Sequence, residues 1–63
     1  MKNLKTIFAE IEKAQNYIER AKQDLVVTSD DKIIEMLNDF IARKKGQKQE
    51  LQKEFNALYE KLN

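Results

Sequence analysis

Apolar side chains recur at Leu4, Ile7, Ile11, Ala14, Ile18, Ala21 and Leu25, in alternating steps of three and four. A helix turns once in 3.6 residues, so this spacing gathers the apolar groups into one narrow stripe. A seam of three uninterrupted heptads predicts a helix over about residues 2–25 that packs lengthwise against another. Phe8 and Ala9 widen the stripe near its start, and Glu10/Lys13 and Glu19/Lys22 face outward at helical spacing.

The seam stops at Val26-Val27, two β-branched residues that lose side-chain freedom in a helix. Thr28-Ser29-Asp30-Asp31 follows, with short oxygen-bearing side chains suited to the free N–H groups that begin a helix. Residues 26–30 are expected to connect two antiparallel helices. Thr28, Ser29 and Asp30 are all candidates for the cap.

A second helix is expected over about residues 31–62. Its apolar positions are read as Ile33, Leu37, Phe40 and Ile41, then Leu51, Phe55, Leu58, Tyr59 and Leu62. Gly46, preceded by Arg43-Lys44-Lys45, is a candidate stop that would give a monomeric three-helix bundle. Phase favours continuity. Eighteen residues are five full turns, and that spacing links Ile33 to Leu51, Leu37 to Phe55, Phe40 to Leu58 and Ile41 to Tyr59. Residues 46–49 also lack the capping residues of a new helix start.

The fold class that follows is all-α, a single domain formed as a coiled-coil-like antiparallel hairpin. Its core is expected to set Leu4, Ile7, Ile11, Ile18 and Leu25 against Ile33, Leu37 and Phe40. A first helix of about 33 Å beside a second of about 48 Å leaves an overhang. Leu51, Phe55, Leu58, Tyr59 and Leu62 are the candidate self-association residues, with Leu58, Tyr59 and Leu62 on the overhang itself. Two hairpins pairing into a four-helix bundle dimer would cover them.

Composition sharpens this expectation. With 63 residues, the chain has a high surface-to-volume ratio and a thin core. Cysteine, histidine and proline are absent, which excludes disulfides and the usual zinc ligands. Oligomerisation, or very good helix packing, is the remaining route to extra stability. No apolar run, Leu25-Val26-Val27 included, exceeds three residues, far short of a membrane span, and the cytoplasm is the expected compartment.

Chemistry-bearing residues are sparse. Ser29 is the one serine and has neither His nor Cys to work with, so nucleophilic catalysis lacks an activating pair. No catalytic residue, cofactor, metal site or small-molecule substrate is expected. Asp31, Glu35 and Asp39 form an acidic ridge, but carboxylates in line on a straight helix do not surround an ion. Tyr17 lies well off the first seam and Met36 to one side of the second. Twelve basic and eleven acidic side chains nearly cancel, and the one basic cluster is Arg43, Lys44, Lys45 and Lys48. The expected function is therefore non-catalytic: a protein–protein interaction module or small regulatory protein that self-associates and presents a helical face to a protein partner. The alternative is a nucleic-acid-binding regulator using the basic cluster.

Overall fold

The computed structural model describes residues 3–62 and contains two helices, α1 (Leu4–Val27) and α2 (Asp31–Leu62), folded back on one another. The hairpin is a rod of 49 × 17 × 14 Å. Ile7, Ile11, Ala14, Ile18 and Ala21 are buried on α1, which makes the three–four stripe of the first segment the core-facing surface. Ile41 and Leu51 are their buried counterparts on α2.

Each helix begins on a side-chain cap. The Asn3 carboxamide oxygen accepts a hydrogen bond from the Thr6 amide at 2.8 Å. The Asp30 carboxylate accepts from the Lys32 amide at 2.9 Å and the Ile33 amide at 3.3 Å. Asp30 is thus the cap among the three candidates, and Asp31 adds a negative charge in the first turn, where the helix dipole favours it.

The connection is shorter than expected. α1 continues through Val26 and Val27 and ends at Thr28, whose φ of −97° and ψ of 138° are extended. A β-branched residue costs only a fraction of a kcal/mol in a helix. That is too little to end α1 while Leu25 is still packed against α2.

α2 runs unbroken through Gly46. The glycine faces open space, since a Cβ there would meet nothing within 4 Å. The missing side chain costs α2 some rigidity but no contact. Packing of Ile41 on one side and Leu51 on the other holds the helix across it. The three-helix alternative is therefore excluded.

Two expectations about the core need correction. Ile33 is 45% exposed, whereas Ile34 is partly covered. The stripe on α2 is Ile34, Leu37, Ile41, Lys44, Lys48, Leu51, Phe55 and Leu58, again in steps of three and four. The eighteen-residue phase match located the correct side of the helix but centred it one residue off, because the two lysines hide the heptad. The overhang is also shorter than expected. Leu51 is 5% exposed and joins Ile7 and Ile11 in one cluster, with Phe55 and Leu58 packed on it. Ile7, near the start of α1, reaches along α2 as far as Leu58. Of the five proposed self-association residues only Tyr59, at 54%, and Leu62, at 74%, are exposed.

Gly46→Ala should raise stability by about 1 kcal/mol, because it adds helix propensity without a clash. Asp30→Ala should lower it by about 1 kcal/mol through loss of the cap. Each shifts the midpoint of thermal unfolding, followed by circular dichroism, by several degrees in a chain of this size. A midpoint that falls on Gly46→Ala would contradict the continuous α2.

Candidate interaction site

Two helices side by side bury one seam and leave two open flanks. The seam itself is divided. Ile7, Ile11, Leu51, Phe55 and Leu58 form a cluster at the open end of the hairpin. Ile18, Ala21, Leu25, Leu37, Phe40 and Ile41 form another toward the connection. Between them α2 contributes Lys44 and Lys48, both half-buried. Their alkyl stems lie along the seam while the ammonium groups leave it in different directions.

The Lys44 ammonium lies over the Tyr17 ring at 5.1 Å and the Phe40 ring at 5.5 Å, and it donates to Gln47 Oε1 at 3.3 Å. Those rings meet edge to face, with centroids 6.2 Å apart. The ring quadrupoles attract the cation at this distance. Lys48 donates instead to the Gln15 side chain across the helix pair. This cross-helix polar pair suits one alignment of α1 on α2, and a slip along the seam would break it.

On the Tyr17 flank, near the connection, lies a groove of about 520 Å³. Tyr17, Ala21, Ile33, Met36, Leu37 and Phe40 give it an apolar lining, with Arg20, Asp24, Asp39 and Arg43 around them. Ile33, Met36 and Phe40 are spaced three and four apart, so they share one stripe of α2. Met36 is 70% exposed. Arg43 and Asp39 pair at 3.3 Å, but both are well exposed, and a pair in water contributes little.

The opposite flank is different in kind. Gln15, Lys22, Lys45, Lys48, Gln49 and Gln52 line a cleft there, with no carboxylate among the lining side chains. Farther toward the open end Phe8, Phe55 and Tyr59 form an aromatic row, with successive centroids 6.4 Å apart. Phe8 lies seven residues before Gln15, and Tyr59 seven after Gln52, which puts this row on the same flank.

The basic residues predicted as one cluster are thus distributed. Arg43 and Lys44 line spaces on the Tyr17 flank, while Lys45 and Lys48 belong to the other, where Lys22 of α1 joins them. Consecutive residues point about 100° apart on a helix, so a run of cations cannot form a single face. Arg20 and Asp24 were not singled out by sequence reasoning, and Lys22 only as half of an outward-facing pair with Glu19, because their roles depend on which flank α2 completes. Tyr17 and Met36 were noted as lying off the seams, and the hairpin brings both to one groove.

Among the described residues, no group of three acidic, His or Cys side chains is placed to hold a metal. No helix there is long and apolar enough to cross a membrane. Fold and surfaces together define the class as a two-helix antiparallel hairpin with a heptad seam. Compared with known protein families, curated proteins and solved structures, the chain matches none.

Replacing Lys48 by Leu should join the two apolar clusters. The expected gain is about 1 kcal/mol, half the effect of fully burying such a side chain. Urea unfolding measures it. A loss of stability on Lys48→Leu would mean that the bond to Gln15 outweighs the apolar gap.

Proposed function

We propose that this chain is a non-catalytic interaction module that self-associates and offers a second helical surface to a protein partner. One observation carries the reading. Among the described residues, seven apolar side chains are buried, two of them alanines, while eight large ones remain exposed. A hairpin this thin gains more from covering its flanks than from anything left to bury within the seam. The exposed groups are also not scattered. Tyr17, Ile33 and Met36 line one groove, and Phe8 and Tyr59 flank Phe55 in one aromatic row. Contiguous apolar surface of this kind marks contact sites on proteins. The absence of histidine and cysteine supports the non-catalytic part.

A second reading rests on Lys22, Lys45 and Lys48, which share a cleft lined otherwise by Ile18 and glutamines. That flank suits a phosphate backbone, with salt-sensitive and largely sequence-independent affinity. The residues carrying it differ in part from the basic run in the sequence, since Lys22 replaces Arg43 and Lys44.

Self-association predicts a thermal midpoint that rises with protein concentration, because folding and assembly are then linked. A midpoint constant over about a hundredfold dilution would remove the reading. For the phosphate-binding alternative, the wild-type chain should retard RNA on a native gel at low salt, and Lys22→Gln/Lys45→Gln/Lys48→Gln should abolish the retardation. Retardation undiminished in that triple variant would place any nucleic-acid contact elsewhere.

A further inference from the structure

The arrangement of charge around the Tyr17 groove says what covers it. Because α1 and α2 run in opposite directions, Asp24 and Asp39 both lie toward the connection, and Arg20 and Arg43 both lie away from it. The groove therefore has a negative end and a positive end, separated by one helical turn on each helix. A copy of the same groove, turned end for end, presents the opposite sign at each position.

We infer that the groove takes a second copy of this chain, related by a two-fold axis that crosses α1 midway between Arg20 and Asp24 and α2 midway between Asp39 and Arg43. This rests on the self-association reading and names its surface. The two midpoints, positions 22 and 41, flank the Ala21–Ile41 packing of one cluster, so a single axis serves both helices. α1 then lies on α1 and α2 on α2 of the second copy. Arg20 meets Asp24 of the other chain, and the Asp39–Arg43 pair of each chain meets its counterpart end for end, so that Asp39 also faces Arg43 of the other chain; each contact occurs twice, as a two-fold interface requires. The same operation exchanges positions 17 and 27. It sets Val27, 83% exposed, over Tyr17, 42% exposed. Met36 and Ile33 leave water as the groove closes.

Size is consistent with a reversible contact. The axis lies toward the connection, so about 25 Å of each hairpin overlaps. On a rod 17 Å wide the facing footprint is roughly 850 Å² over the two chains, in the range of weak, transient contacts. The open ends, with Phe8, Phe55 and Tyr59, project from either side and stay available to another protein. A foreign amphipathic helix would also find apolar cover in the groove, but nothing requires its charges to match both ends. The chain's own groove matches by symmetry.

The test is sedimentation equilibrium on four full-length samples. They are wild type, an acidic-rim variant (Arg20→Glu with Arg43→Glu), a basic-rim variant (Asp24→Lys with Asp39→Lys), and an equal mixture of the two variants. Circular dichroism checks that each remains helical. Wild type should dimerise, and each variant alone should bind itself at least about a hundredfold more weakly, because like charges then oppose each other at every rim contact. The mixture should restore a dimer containing one chain of each kind, and should restore helicity if either variant alone has lost it. A monomeric wild type would overturn the self-association reading and this interface with it. A dimeric wild type with rim variants that dimerise equally well, or a mixture that stays monomeric, would overturn the interface and leave the reading standing. A companion variant, Tyr59→Asp with Leu62→Asp, should dimerise as wild type does, and its dissociation would move the contact to the open end.

Discussion

The structure depends on the heptad seam between α1 and α2, along which the two helices pack. In larger helical proteins each helix has neighbours on two or three sides, and loss of one contact is shared among the others. Here every buried side chain faces the same partner helix. Ala14 and Ala21 keep the helices close, and the isoleucines between and around them fill the seam. Caps at Asn3 and Asp30 start each helix in the phase that this packing needs.

Lys44 and Lys48 show how a polar interruption is accommodated in so thin a core. Neither ammonium is buried without a partner. Lys44 lies over two aromatic rings, and Lys48 reaches Gln15 on the opposite helix. An unbroken apolar seam could slide by a heptad at little cost, or join a different number of helices. A cation that finds its acceptor in one alignment penalises such slips. The two lysines also leave on opposite flanks.

Function, on this reading, belongs to the flanks. The hairpin carries apolar surface near the connection on one side and near the open end on the other. With these surfaces on opposite sides and at opposite ends, one can serve self-association while the other remains accessible. The groove's charge order is a consequence of antiparallel topology. An Arg-to-Asp step along α1 and an Asp-to-Arg step along α2 become like charges at the same level only when the chain folds back.

Helix content, the continuity of α2 and the antiparallel hairpin were legible in the chain, because they follow from local rules. A three–four spacing, a missing proline, a preserved phase across Gly46 and a run of capping residues each act within a few turns. The centre of the second stripe was not legible. Ile33 and Ile34 are equally apolar, and lysines at two seam positions removed the contrast on which periodicity depends. Nor was the cover over Leu51, Phe55 and Leu58, since helix length alone does not say how far α1 extends along α2. Which flank each cation joins, and which charges share a groove, was decided by tertiary structure alone. A residue's sequence position sets its angle on its own helix, but only docking against the other helix determines which angles face one another.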